Sequence, residues 1–221
     1  MKTVLVYVYP GPAYLNNAVR FLSTYHECPP GRDHSSVVVC NGFAPGNFEQ
    51  ILFSGLPNLT FLQHDNSGYD IGAFQFVART VPCDLMIFFG ASAYFTGAGW
   101  LNRVEDSTSR HGFALYGVHG NQGDDRVNVS PHVRTTGFWI APSLLNKYPF
   151  IVNKAGNRYE FEHGQTSLCN WIQKQGLHTW VVTWFSEYLR HQWDGIPNGF
   201  HRGDQSALLF RDRLTDPPFF A

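Results

Sequence analysis

The chain has little net charge, −1 over 221 residues, and no basic run. A nucleic-acid surface must cluster Lys and Arg to neutralise phosphates, which sets nucleic acid aside as a partner. No apolar stretch approaches the ~20 residues that span a bilayer, so no transmembrane segment is expected. The four cysteines (Cys28, Cys40, Cys83 and Cys169) are far apart and lack a pairing pattern. That usage fits free thiols in a reducing, cytoplasmic compartment. None of the ten histidines falls in a His-Glu-x-x-His spacing, and there is no Cys-x-x-Cys; both are common metal signatures. No Gly-x-Gly-x-x-Gly follows the first apolar run, which argues against a dinucleotide-dependent oxidoreductase. Repeats, low-complexity tracts and linker-like stretches are also missing, so residues 1–221 read as one domain. Nothing in the sequence sets an oligomeric state.

What the chain does have is apolar mass: 43% hydrophobic, 16% aromatic and only 15% charged residues. Such a composition belongs to a folded globular protein with a sizeable core. The opening run Thr3 to Val8 stops at Pro10-Gly11-Pro12. It is too short for a signal-peptide core and reads as a buried strand. Leu15, Ala18, Leu22 and Tyr25 recur at helical spacing. Ser36–Cys40, Leu59–Gln63 and Leu85–Phe89 read as further strands, with a helical stripe at Ile71, Phe74 and Ala78 between the last two. This alternation predicts an α/β fold with a mostly parallel central sheet flanked by helices, Rossmann-like in its first half. In the second half, 113–118, 136–140 and 179–185 read as strands. Thr166–Gln175 reads as a helix ended by Gly176, and Asp204–Asp212 as a last short helix.

Ligands of open parallel sheets bind beyond the carboxyl ends of the strands. Here those ends are Tyr9-Pro10, Asn41-Gly42, Asp65-Asn66-Ser67-Gly68 and Gly90-Ala91-Ser92, all small or polar. Each also suits an ordinary turn. In the third loop, Gly68 can supply positive φ and Gly72 a close backbone approach. Asp70 is either the N-cap of the following helix or a partner for sugar hydroxyls.

The stretch Asn66-Ser67-Gly68-Tyr69-Asp70-Ile71-Gly72-Ala73-Phe74 resembles the Asn-x-Gly-x-Asp-Ile-Gly-Ala segment of GT-A-fold glycosyltransferases related to rhamnan-synthesis enzymes. The resemblance implies a hexosyl- or deoxyhexosyltransferase of polysaccharide biosynthesis. Its donor would be a nucleotide-sugar and its acceptor a saccharide or other hydroxyl compound. It places the donor against Val8, Tyr9, Pro10, Asp65, Asn66, Gly68, Asp70, Gly90, Ala91 and Ser92. Where such enzymes carry Asp-x-Asp for a divalent metal, this chain has Gly90-Ala91-Ser92, without a carboxylate. A Mn or Mg ion needs oxygen ligands, so no metal ligands are assigned there. The alternative is a non-catalytic nucleotide-sugar or carbohydrate binding module on the same scaffold.

Three later segments carry chemistry. Pro131-His132-Val133-Arg134-Thr135-Thr136 gathers a titratable ring, a cation and two hydroxyls; His132, Arg134 and Thr135 are expected to meet acceptor or diphosphate, with Lys147 a further candidate cation. Tyr159-Glu160-Phe161-Glu162-His163-Gly164 reads as opening the helix that ends at Gly176. A carboxylate there either caps the helix or, as the resemblance implies, takes the acceptor proton in an inverting displacement. Glu162 is the first choice for that base and Glu160 the second. Arg202-Gly203-Asp204-Gln205 resembles a late segment that closes over the diphosphate or sugar, and Asp204 equally suits an N-cap. Asp124-Asp125 reads as a solvated turn, and the loop around Asp194 as an acceptor lid.

Overall fold

A computed structural model describes residues 1–121, 123, 129–193, 196 and 205–216. The first half alternates as the apolar pattern predicts, with the short helix α2 added to the elements read from sequence: β1 (Thr3–Tyr9), α1 (Leu15–Glu27), β2 (Ser35–Asn41), α2 (Asn47–Leu52), β3 (Leu59–His64), α3 (Tyr69–Thr80) and β4 (Leu85–Phe89). Then come β5 (Tyr94–Phe95), α4 (Trp100–His111), β6 (Ala114–Gly117), β7 (Gly120–Asn121), β8 (His132–Val133), β9 (Gly137–Ile140) and α5 (Pro142–Leu145). The chain continues with α6 (Ala155–Glu162), α7 (Leu168–Lys174), β10 (His178–Val182), β11 (Glu187–Leu189) and β12 (Phe210–Arg211).

Eight strands form the central sheet in the order β11-β10-β6-β9-β4-β1-β2-β3. The strands β3, β2, β1 and β4 are mutually parallel. β9 runs antiparallel to both β4 and β6, so the sheet is mixed though mostly parallel. Alternate residues of β1 serve opposite faces, as the two-residue period of a strand requires. Val4, Val6 and Val8 pack with Ile71, Phe74 and Val77 of α3. Leu5, Tyr7 and Tyr9 pack on the other face with Ala18, Phe21 and Leu22 of α1. Full burial of a side chain such as Phe21 or Phe74 contributes up to about 3 kcal/mol before the entropy of ordering it is charged.

The second half departs from the sequence reading in three places. The sequence pattern does not reveal α4 or the first turn of α6, because Trp100, Leu101 and Val104 give α4 a narrow apolar stripe and α6 buries only Phe161. The segment from Tyr159 to Gly176 is two helices rather than one. α6 ends at Glu162, and Ser167 caps α7 by accepting from the Asn170 backbone N–H. Gly176 does end α7: its φ is 73°, and Leu177 N–H reaches back to Ile172 O at 3.2 Å, a Schellman closure. Finally, the expected helix over 204–212 is a single 3-10 turn, Gln205–Ala207, followed by β12 paired to β5. Leu208, Leu209 and Phe210 are consecutively buried, which a one-sided helix could not achieve. Among the described residues no helix is long and apolar enough to cross a membrane.

Candidate functional site

The chain leaves β1 toward β2 and β3 on one side and returns to β4 on the other. A crevice opens at such a switch point, outside the carboxyl ends of the strands. Of the residues expected there, Val8 and Tyr9 are fully buried within the two core layers, and Pro10 is half-buried. Ala91 and Ser92 are half-buried, and the Ala91 carbonyl accepts from the Tyr7 hydroxyl at 2.9 Å. Gly90 donates its N–H to Thr136 O at 3.0 Å. A Cβ there would lie 3.8 Å from an Asp70 carboxylate oxygen. The β4 terminus, the β9 entry and the third loop therefore meet at Gly90.

The third loop is held by its own polar groups. Asp65 is exposed and accepts from Ser67 N–H at 2.9 Å. Asn66 adopts φ 67° and its side-chain Oδ1 accepts from Asn41 Nδ2 at 2.8 Å. Gly68, at φ 72°, precedes α3, and a Cβ on it would sit 2.0 Å from the Val152 carbonyl. A Cβ on Gly72 would lie 1.9 Å from Ser67 O. The closeness expected at Gly72 is thus to the protein's own backbone. Tyr69, absent from the sequence-based site, also has a positive φ, 58°, and an exposed ring. Left-handed non-glycine residues are uncommon and store local strain.

Asp70 is not an N-cap. Gly68 holds that position without a side-chain bond, and Asp70 lies within the first turn of α3. Its carboxylate faces Arg158 of α6, with Nε 3.2 Å from Oδ1. Burial lifts the Asp70 carboxyl above its usual range, against the pull of Arg158. One turn further along α6 stands Glu162, so residues 158 and 162 share a helix face. That four-residue spacing is the sequence signal that could have found Arg158.

Glu162 lies at the C-terminal end of α6, where the helix dipole disfavours a carboxylate. Other contacts hold its charge. Oε1 accepts from Thr135 N–H at 3.2 Å and from Thr135 Oγ1 at 2.9 Å. Oε2 is 3.4 Å from His163 Nε2. Burial raises the carboxyl pKa, but His163, the Thr135 N–H, His132 and Arg134 outweigh it and hold the group below the usual range. Glu162 is therefore ionised at neutral pH. His132 Nδ1 lies 2.8 Å from Ser130 O, to which it donates, leaving Nε2 as an acceptor for His163 Nδ1 at 3.0 Å. Burial pushes the His132 pKa down to about 4, so the ring is neutral. Arg134 is tied to the buried Asp212 carboxylate at 3.1 Å.

His132, Arg134, Arg158, Glu162 and His163 line one cleft of about 410 Å³, together with Tyr159 and Asn121. Glu160 is exposed and points elsewhere, accepting from Thr166 Oγ1 at 3.0 Å beside the Gly164 turn. Lys147 is exposed just beyond α5. Arg202, Asp204, Asp124, Asp125 and Asp194 lie outside the described residues. The end of β4 does not fit a metal ion: Gly90-Ala91-Ser92 offers no carboxylate, and Asp70 beside it is engaged by Arg158. Among the described residues, His132, Glu162 and His163 alone gather three ligand atoms, all within 4.8 Å of one another.

No protein-family profile matches the chain, and no curated protein matches it in sequence. Solved structures do match in shape. The mannosyltransferase PcManGT from Pyrobaculum calidifontis, in complex with GDP-Man and Mn²⁺, superposes with a TM-score of 0.51 at 13% identity. That match covers 67% of this chain and 46% of the mannosyltransferase, so the chain spans under half of that protein. A putative glucose-1-phosphate thymidylyltransferase from Bacillus anthracis, in complex with a sucrose, gives a TM-score of 0.52 at 13% identity. Here the match covers 80% of this chain and 84% of the other. The fold is of the GT-A type. In this GT-A-type scaffold the cleft is walled by β7, β8 and α6, and Arg158 on its wall reaches Asp70 in the first turn of α3. Its Asp70–Arg158 bridge joins the first half of the chain to the second.

Proposed function

We propose that the chain transfers a glycosyl group from a nucleotide-sugar to a saccharide or other hydroxyl acceptor. The observation that carries this reading is Glu162: an ionised, mostly buried carboxylate, fixed by two Thr135 donors and facing a polar cleft. A general base must be ionised and held in place to accept a hydroxyl proton. In this reading Glu162 takes the acceptor proton as the acceptor oxygen displaces the nucleoside diphosphate in one inverting step. Glu160, on the exposed side of α6, is set aside as base. The donor lies over Gly90 and the third loop, with Arg158 meeting its phosphates. No step is routed through a metal ion, since β4 ends without a carboxylate. The rhamnan-type motif at Asn66–Phe74 supports a role in polysaccharide assembly. The free thiols support a cytoplasmic site.

A second reading, a non-catalytic nucleotide-sugar binding module, has its own observation. Both cleft arginines already face carboxylates, Arg134 toward Asp212 and Arg158 toward Asp70. The two readings separate in a donor panel. A thermal-shift screen against nucleoside diphosphates and nucleotide-sugars finds the donor, because a bound ligand stabilises the fold by mass action. Release of free nucleoside diphosphate from that donor, lost in Glu162→Gln, supports the transferase. Binding without turnover under any acceptor or metal condition supports the module.

A further inference from the structure

A second pocket, of about 500 Å³, lies between α7 and the 3-10 turn that follows β11. Asn170, Gln173 and Lys174 of α7 line it, with Ser130, Gln165 and Arg190 opposite. Positions 170, 173 and 174 share one helix face by their spacing. No Asp or Glu is among its described lining residues.

Arg190 is the centre of this pocket. It is half-buried, and Nη1 donates to Asn170 Oδ1 at 2.9 Å and to Gln173 Oε1 at 2.6 Å. Both partners are neutral amides. The Asn170 amide is itself oriented: its Nδ2 donates to the Gly164 and Gln165 carbonyls, each at 3.2 Å, which turns Oδ1 toward Arg190. The guanidinium is thus held in position while no carboxylate among the described residues balances it, and those residues offer Nε and Nη2 no partner. A half-buried cation without a counter-charge is costly, and the parallel Nε and Nη2 donors suit the two oxygens of a carboxylate or phosphate. Lys174 adds a second positive charge to the same pocket.

The pocket shares a wall with the cleft. Ser130 lines it, while the Ser130 carbonyl accepts from His132 and its N–H donates to His163 O at 2.8 Å. A ligand lying along that wall would reach both spaces.

We propose that this pocket binds an anionic group, carboxylate or phosphate, carried by the saccharide acceptor. The acceptor part of the inference rests on the transferase reading above; the anion site does not. Isothermal titration of the full chain with glucose, glucose 6-phosphate, glucuronate and inorganic phosphate tests it. Glucose 6-phosphate or glucuronate should bind at least about tenfold more tightly than glucose, as a charge-assisted bidentate contact predicts. The preferred sugar anion tells phosphate from carboxylate. Arg190→Gln should remove about tenfold of that affinity and Lys174→Ala roughly threefold. Arg190→Lys, which keeps the charge without the fork, should fall between wild type and Arg190→Gln, and covers the case in which Arg190→Gln does not fold. Arg158→Gln, in the cleft, should leave the binding unchanged, and Arg190→Gln should leave the thermal shift by nucleoside diphosphates unchanged. Equal affinity for glucose and both sugar anions, or binding untouched by either Arg190 variant, would overturn the anion site. Equal affinity for inorganic phosphate and glucose 6-phosphate would overturn the saccharide assignment. Anion binding that depends on Arg190 in a chain that turns over no donor would overturn the acceptor role and leave the site itself standing.

Discussion

Arg158 and Asp70 meet at 3.2 Å across 88 residues of sequence. The contact fastens the first turn of α3 to the helix that carries Glu162, so the first and second halves of the chain are coupled through one ion pair. Because the Arg158 side chain is 43% exposed, the pair contributes about 1 kcal/mol or less to stability. Its larger consequence is for ligands. Arg158→Gln should leave the melting temperature nearly unchanged and weaken nucleoside diphosphate binding by about tenfold, as loss of a charged phosphate contact does. A thermal melt checks the first half of that statement and calorimetric titration the second. Unaltered affinity would remove Arg158 from the donor site.

Glu162→Gln keeps the shape of the side chain and removes its basicity. Transfer should fall by about a hundredfold or more, the usual worth of a positioned base. Donor affinity should stay within about twofold, since uniform binding is untouched. Because contacts with His163, Thr135 and His132 hold the Glu162 carboxyl below its ordinary range, the acid limb of the kcat profile should lie below pH 4.5, its ordinary value. Rates measured from pH 4 to 8 would show it. A limb centred near neutrality points to a histidine as the essential group instead.

The same cluster predicts inhibition by zinc. His132, His163 and Glu162 offer the nitrogen and carboxylate ligands zinc accepts, and His132 is oriented by the Ser130 carbonyl as metal-binding imidazoles are. An ion held there occupies the carboxylate assigned as base. Zn²⁺ should therefore inhibit transfer reversibly, with a chelator restoring it, and His132→Ala should relieve the inhibition. Inhibition of equal strength in that variant would place the ion elsewhere.

Stability should fall on mild acidification. Burial depresses the folded pKa of His132 to about 4 and of His119 to about 3, against an ordinary value of 6.5. The unfolded chain takes up protons near pH 6.5 that the folded chain refuses, so these groups weaken the fold as pH drops below 6.5 toward their folded values. Their contribution is complete above pH 6.5. Melting temperatures should be flat from pH 7 to 8 and decline steadily from pH 6.5 to 4. His132→Gln should flatten part of that decline, and an unchanged slope would reassign the effect.

Substituting the glycines of the third loop tests packing rather than chemistry. Gly68→Ala combines a positive φ with a Cβ 2.0 Å from the Val152 carbonyl, and Gly72→Ala puts one 1.9 Å from Ser67 O. Each should cost more than about 2 kcal/mol, since backbone on both sides cannot yield cheaply. Chemical denaturation measures this directly. A mild effect would mean that the loop can shift away from Val152.

The first half of the fold was legible because its strands are covered on both faces. Val4, Val6 and Val8 on one side and Leu5, Tyr7 and Tyr9 on the other produce an unbroken apolar run that only a buried strand explains. Gly176 likewise marked its helix end, since a left-handed closure calls for glycine. Gly68, Asp70, Gly90, Thr135 and Glu162 were each singled out locally, by residue type and by position beside a strand or helix. Sequence could not say that Asp70 pairs with Arg158, that Glu160 faces away while Glu162 lines the cleft, or that Arg134 is taken by Asp212. Nor could it show the break between α6 and α7 that puts Glu162 at a helix end rather than a start. Those relationships join residues 27 to 88 positions apart and depend on which faces of α3, α6 and the β8–β9 segment are brought together. Local pattern determines what each segment becomes, because hydrogen bonding and burial act over one turn or one strand. Only tertiary packing decides which charges meet, because an ion pair depends on separation in space and carries no period in the chain.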